Sequence, residues 1–323
     1  MIIKIVVHVS RIFVGSIFIF SGFAKLVDPI GSQYKFQEYF SPGVLNVEFL
    51  VPYALPFSII LIIAEVILGI LLLLGYKPKF TVWSLLILNV IFLFLTWYSA
   101  YYNKVTDCGC FGDAITLTPW ETFYKNVILI ALIVLLLFNI EEIKKMLSKK
   151  ITVALILISL ISCSYTTYYV LHHLPLIDFR AYAVGKNIPE GMKYKDDGKI
   201  PPVHDFMLED TQNDLTEELM GREKLMLIIV YNISKSNKKG FERIKKIADK
   251  AIEKGYTVYG VSASFGDDLI LIQNQYNLPF DFLFCDGTTL KTMIRANPGI
   301  MTFRKGTVIG KWNWTDTEDV ILE

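Results

Sequence analysis

Cysteine is scarce in this chain: there are four in 323 residues, and two of them, Cys108 and Cys110, stand one residue apart in the string "DCGCFGD". Thiols so placed can exchange with another protein's disulfide, because a thiolate attacks sulfur through a mixed-disulfide intermediate. A Cys-x-Cys bond closes a very small ring, and strained disulfides are the labile, oxidising ones. Gly109 between them tolerates the distorted backbone of such a ring. A static loop staple is a second reading, although so short a ring removes little chain entropy. A metal needs three or four ligands. No spacing ties His172, His173 or His204 to the cysteines, so no metal site is expected.

What positions the pair is a membrane. With 53% hydrophobic residues the chain is too apolar for an ordinary soluble protein, and its net charge of +1 gives no cationic footprint for nucleic acid. Runs long enough to span a bilayer lie at about 5–23, 55–74, 81–101, 123–140 and 151–171. The first is read as a retained span rather than a cleaved signal, since it lacks a small-residue cleavage site and more spans follow. The "LISC" string ending at Cys163 has lipobox chemistry, but its place inside the fifth run argues against lipid attachment. Basic residues near span ends stay in the cytoplasm. Lys4, Lys77, Lys79, Lys144, Lys145, Lys149 and Lys150 then share one side. The expected topology is a multi-pass protein of the bacterial inner membrane with a cytoplasmic N-terminus. Cys108, Cys110 and the C-terminal domain fall outside the cytoplasm, where disulfides persist.

Ionisable residues within spans are functional hypotheses by default. Helix rise puts Arg11 and Glu65 at similar depths, so an Arg11–Glu65 ion pair is expected, as an interhelical clamp or as part of quinone or proton handling. His8 faces headgroups or the bundle, and Asn89 makes an interhelical hydrogen bond. Cys163, about 10 Å below the outer surface by helix rise, and Cys285 in the soluble domain are the remaining thiols. Either could resolve a mixed disulfide, although a lone buried Cys is usually a small hydrophobe.

Three strings recur to one family: "SGFAKLVDP" at 21–29, "EVILGILLLLGY" with Gly69 and Gly75, and above all "DCGCFGD" followed by Trp120 at the next span's entrance. Together they resemble the DoxX-like membrane proteins, and specifically the MauE (methylamine utilisation) branch, over residues 5–140. The resemblance implies a four-helix bundle related in shape to quinone-linked disulfide-forming proteins. It also implies a role in maturing disulfide-rich periplasmic partners; a quinone is a cofactor compatible with it, and the electron acceptor stays open.

Beyond residue 175 the composition turns charged and Gly-punctuated. Apolar strands "KLMLIIVY", "YTVYGVSA" and "FDFLFC" alternate with helical patterns. Phe241, Ile244, Ile247, Ala248 and Ile252 form one apolar face, and a hairpin turning at Lys305–Gly306 closes the domain. The stretches "LMLIIVYNISKSNKKGFERI" and "NPGIMTFRKGTVIGKW" resemble the thioredoxin fold. In that family a Cys-x-x-Cys follows the first central strand and opens a helix, facing a cis-proline. The matching positions are Ser234, Asn237 and Pro298, so the architecture is expected without its nucleophiles. Capping is the ordinary job of such a Ser or Asn, and no His or Asp is placed to activate Ser234 for hydrolysis.

The fold class is therefore an α-helical membrane bundle, a four-helix DoxX/MauE-like core plus a fifth transmembrane helix, followed by a soluble α/β thioredoxin-like domain. The divisions fall at 1–145, 146–175, a connector at 176–203 pinned to the membrane face by Arg180 and Tyr182, and 204–323. The expected function is thiol–disulfide exchange through Cys108 and Cys110, quinone-coupled, on a periplasmic client or redox partner. The competing class is a non-catalytic membrane scaffold or client-binding subunit.

Overall fold

A computed structural model describes residues 2–105, 109–194, 198, 200–264 and 266–323. Two compact units divide the chain, Met1–Leu171 and His172–Glu323.

In the first unit α1 (Ile2–Leu26) is followed by a short α2 (Pro29–Phe40), then by α3 (Ala54–Leu74), α4 (Pro78–Tyr102), α5 (Pro119–Phe138) and α6 (Lys149–His172). All but α2 are long and apolar enough to cross a membrane, and with the soluble α/β unit they make a membrane bundle plus a water-soluble domain. Small residues set the closest packing. A Cβ on Gly15 would lie 3.2 Å from the Gly69 carbonyl, one on Gly69 would lie 2.8 Å from the Gly15 carbonyl, and one on Gly22 would lie 3.1 Å from the Ile62 carbonyl. The antiparallel α1 and α3 backbones can approach this closely because those side chains are missing. Asn89 Nδ2 donates to the Asn126 carbonyl at 2.9 Å, which joins α4 to α5 as the sequence predicts. A Thr118–Glu121 capping box with Pro119 starts α5. The α6 helix buries little; it meets the bundle where Cys163 packs with Leu26, Ile62 and Val66.

The second unit is a sheet between two hydrophobic layers. After α7 (Ile188–Gly191) and α8 (Thr216–Met220) come β1 (Leu225–Val230), α9 (Lys238–Glu253), β2 (Thr257–Ser262), α10 (Asp267–Tyr276), β3 (Phe282–Phe284), α11 (Gly287–Met293), β4 (Gly299–Arg304) and β5 (Thr307–Asn313). Strand order is β3-β2-β1-β4-β5, parallel from β3 to β1 and antiparallel from β1 to β5. All six β1 residues are buried. Leu225, Leu227 and Ile229 enter one layer, and Met226, Ile228 and Val230 enter the other. This two-sided burial explains the unbroken apolar run. On α9 the inward face is Phe241, Ile244, Ile247, Ala248 and Ala251, while Ile252 is exposed. The step from Ile244 to Ala251 is two helical turns, so Ala251 takes the inward position in the last turn.

The stretch between the last span and β1 is folded onto this sheet. Gly185 N–H donates to the Val308 carbonyl, and Val308 N–H donates to the Lys186 carbonyl, which covers the β5 edge. Tyr182 and Ile188 are core residues. Arg180 and Tyr182 anchor this stretch to the soluble unit, which corrects their expected place at the membrane face. Asp178 accepts from Arg180 Nε at 2.7 Å and from Lys311 Nζ at 2.5 Å. Arg180 Nη1 also donates to the Thr292 carbonyl at 3.1 Å, in the last turn of α11, where a cation is favourable. Burial would raise the Asp178 carboxyl, but its two cations outweigh that and hold it below the usual carboxylate range. Burial pushes the Lys311 ammonium down to about 8, with Arg180 adding to the push and Asp178 opposing it.

Candidate functional site

The Cys-Gly-Cys loop is built onto the ends of α1 and α2. Cys108 lies outside the described residues. Cys110 is a partly exposed free thiol. Gly109 and Gly112 both take the left-handed conformation, with φ of +61° and +53°. A Cβ at Gly109 would press on the Lys35 side chain at 2.9 Å, and one at Gly112 would lie 3.0 Å from the Ala24 carbonyl. Between them Phe111 is buried, its ring centroid 5.4 Å from that of Phe20 and 4.4 Å beneath the Lys125 ammonium. The two glycines let the backbone press against the bundle, and Phe111 fastens it there.

A polar chain underlies this loop. Ser21 Oγ donates to the Cys110 carbonyl at 2.8 Å and accepts from Lys25 Nζ at 2.7 Å. Lys25 Nζ in turn donates to Glu65 Oε2 at 2.6 Å, and both ions are almost wholly buried. Glu65 Oε1 has no hydrogen-bond partner among the described residues. The pair at Glu65 is therefore Lys25–Glu65, and the expected Arg11–Glu65 pair is not formed. Arg11 donates instead to the carbonyls of Leu72 at 2.8 Å, Lys144 at 3.1 Å, and Leu73.

Register and side-chain direction explain the exchange of partners. Gly15 lies against Gly69, and Gly22 lies against Ile62 and Val66. Glu65 is thus level with the last turns of α1, and Arg11 is level with the end of α3. Side chains lean toward the N-terminus of their own helix, so in an antiparallel pair Lys25 and Glu65 lean toward each other while Arg11 leans away. Arg11 caps orphan carbonyls in the last turn of α3, a structural clamp with a different partner from the one expected. The serine and lysine stand four apart in "SGFAK", a spacing that puts both on one helix face. That spacing was the available signal for Ser21 and Lys25.

Beside Cys110 is a cavity of about 130 Å³ between α1, α2, α3, α4 and the loop. Leu61, Leu88, Phe92 and Leu95 supply apolar walls, with Lys25 and Ser32 among the polar lining. Ser32 is buried, and its hydroxyl has no hydrogen-bond partner among the described residues.

The other thiols sit in apolar packing. Cys163 is buried in α6 against Leu26, Ile62 and Val66. Cys285 is fully buried in one sheet layer, and burial pushes its thiol up to about 12, which disfavours the reactive thiolate.

In the soluble unit Ser234 and Asn237, the positions expected to match a thioredoxin's thiols, bear a hydroxyl and an amide. Asn237 is the N-cap of α9, its side chain accepting from Lys239 N–H at 3.0 Å. Its own N–H donates to the Asn297 carbonyl at 3.2 Å. Asn297 Nδ2 donates to the Asn232 carbonyl at 2.7 Å, and Ser234 Oγ donates to Asn232 Oδ1 at 2.8 Å. The Asn297–Pro298 peptide is cis. A Cβ on Gly240, in the first turn of α9, would lie 3.0 Å from the Pro298 ring, so helix and proline are in contact. The turn before β4 is thereby tied to the loop after β1.

Residues 3–139 match the family described as methylamine utilisation protein MauE. Protein TlpB of Flavobacterium psychrophilum is 24% identical over 243 residues, covering 71% of this chain. The chain spans only 57% of that relative's length. No solved structure matches. The protein is a multi-pass membrane protein: residues 3–139 match the MauE family, and the chain continues into a fifth apolar helix and a C-terminal thioredoxin-like part.

Proposed function

We propose that this is a thiol–disulfide exchange protein of the bacterial inner membrane, acting through Cys108 and Cys110 on the periplasmic side. The observation that carries the reading is the polar chain from the Cys110 carbonyl through Ser21 and Lys25 to Glu65. A loop with only a stapling role has no need of a buried ion pair beneath it, since such a pair is costly to desolvate. The placement of basic residues between spans supports a cytoplasmic N-terminus and a periplasmic soluble domain.

In exchange, a thiolate of a client dithiol attacks the Cys108–Cys110 disulfide, forming a mixed disulfide and freeing one loop thiolate. The second client thiolate then attacks the mixed disulfide. The client leaves oxidised and the loop is left as two thiols, so the two electrons and two protons of the client dithiol pass to the loop. Lys25 places its ammonium under the loop, where thiolate character develops, with Glu65 as its counter-ion. A quinone, when bound, supplies a two-electron, two-proton acceptor for the reduced pair. The apolar walls beside Cys110 suit such a group. The thioredoxin-like unit, with Asn237 and Ser234 at the thiol positions and Pro298 facing them, holds the client without reacting with it.

The test is the alkylation mass shift of Cys108 and Cys110 in cells grown with and without oxidant. The pair is expected to change state, and a Cys110→Ser variant is expected to trap a partner on Cys108. Cysteines locked in one state under all conditions, with no trapped partner, would favour the non-catalytic scaffold.

A further inference from the structure

We infer that the cleft between the first turns of α1 and the segment joining α5 to α6 binds the phosphate headgroup of an anionic phospholipid, with Arg11 as the buried cation beneath it. The cleft has a volume of about 490 Å³, within the roughly 300–1,000 Å³ of small-ligand sites. It lies at the other end of α1 from the Cys110 loop and is independent of the exchange reading.

Charge is the first argument. Lys4, His8 and Arg11 stand at i, i+4 and i+7 on one face of α1, and Lys144 and Lys145 reach the same cleft from the segment after α5. Among the described residues Glu142 is the one carboxylate on the lining, and it pairs with Lys4 at 3.5 Å.

Arg11 is the second argument. A buried cation in a span ordinarily has a counter-ion. Arg11 is buried in a membrane-spanning helix and has no carboxylate partner among the described residues, because Glu65 is taken by Lys25. Its guanidinium carries five N–H donors, of which three go to the carbonyls of Leu72, Leu73 and Lys144. One donor remains on each Nη, in a residue that lines the cleft. Water would satisfy those donors and leave the charge; a phosphate satisfies the donors and supplies the counter-ion.

The walls name the source of the phosphate. Met146 N–H donates to the Leu74 carbonyl at 3.1 Å and Arg11 Nη1 to the Lys144 carbonyl, so the segment with the two exposed lysines is fixed against the end of α3. Ile5, Val9 and Met146, exposed and apolar, line the same cleft. Basic pockets beside apolar span surface suit lipid headgroups, and acyl chains cover such a wall, which a soluble phosphate leaves bare.

The test is native mass spectrometry of the full chain in detergent, titrated with phosphatidylglycerol, with phosphatidylcholine of the same acyl chains, and with inorganic phosphate. Phosphatidylglycerol is expected to bind saturably and phosphatidylcholine is not. Lys144→Gln/Lys145→Gln should weaken phosphatidylglycerol about thirtyfold, as loss of two basic residues beside an anionic lipid implies. Lys77→Gln/Lys79→Gln removes the same charge from the exposed turn between α3 and α4, outside the cleft, and should leave binding unchanged. Arg11→Gln would also orphan carbonyls at the end of α3, so the exposed lysines carry the test. Equal binding of the two lipids, or equal losses from the two lysine pairs, overturns the site, since either means diffuse attraction to a basic surface. Inorganic phosphate that binds saturably and displaces phosphatidylglycerol overturns the lipid as occupant.

Discussion

The loop around Cys110 and the turn around Pro298 are built on opposite principles. In the membrane bundle a thiol is kept and its backbone hangs on buried charge, through Ser21, Lys25 and Glu65. In the thioredoxin-like unit the positions expected to carry thiols are Ser234 and Asn237. The turn before β4 is held there by neutral amides: the Asn297 side chain donates to the Asn232 carbonyl, and the Asn237 backbone N–H donates to the Asn297 carbonyl. Charge is costly to bury and is retained where a nearby group changes protonation or carries developing charge. Neutral amides hold shape without the cost of burying charge, although Asn297 Oδ1 has no partner among the described residues. The contrast accords with the proposed division, chemistry in the first region and recognition in the second.

The largest effect that tests this contrast is on exchange itself. Cys110→Ser is expected to reduce disulfide exchange with a model dithiol to background, while Asn237→Ala and Ser234→Ala leave the rate of the loop cysteines unchanged. An equal loss from the asparagine variant would erase the division of labour.

Next come the buried ions, where each unit provides its own test. Lys25→Met leaves Glu65 buried without its cation and is expected to cost about 3–5 kcal/mol in thermal unfolding of the purified protein. A Lys25→Met/Glu65→Gln double variant should recover most of that loss, because the uncompensated charge is gone. Asp178→Asn leaves Arg180 and Lys311 facing each other with no carboxylate, and a loss of similar size, about 3–5 kcal/mol, is expected in the soluble unit.

Lys311→Met should be near neutral by comparison, since Asp178 keeps Arg180 at 2.7 Å. The sign of the pH effect follows from the lysine itself. Its ammonium in the fold is pushed down to about 8, below the value in an unfolded chain, so between the two the unfolded state binds more protons. Wild-type stability relative to Lys311→Met should therefore rise as pH increases from about 8 toward the ordinary lysine range. Denaturant titrations at pH 7 and pH 9.5 check this, and a fall over that interval would show that the Asp178 pairing outweighs burial.

The smallest effects lie at the former thiol positions. Asn237→Ala removes the N-cap of α9 and is expected to cost about 1 kcal/mol. Ser234→Ala, at an exposed residue bonded to Asn232, should stay within about 0.5 kcal/mol of wild type. A larger loss at Ser234 would mean that this loop carries more of the unit's stability than its hydrogen bonds account for.

Much of the architecture was legible before any coordinates. Spans, strands and helices all announce themselves through hydrophobic period, since a bilayer and a two-sided sheet each demand uninterrupted apolar runs. The site was less legible, because its parts come from distant segments. Nothing local to "SGFAKLVDP" gives Lys25 a role. Only its reach to Glu65, forty positions away, shows its role. The stretch after residue 175 reads as a connector for the same reason: Arg180, Tyr182 and Ile188 show no local period, and their burial depends on the sheet that they cover.

Local chemistry by itself determined that two thiols stand one residue apart, that the N-terminal half belongs in a membrane, and that the C-terminal unit carries no Cys-x-x-Cys. Tertiary structure decided which cation meets Glu65. Depth along a helix can be counted from sequence, but the register between antiparallel helices depends on where glycines let backbones meet, and the lean of each side chain then selects the partner. The same closeness of α1 and α3 sets Lys25 beneath the Cys110 loop and beside the cavity, a position that no spacing in the chain encodes.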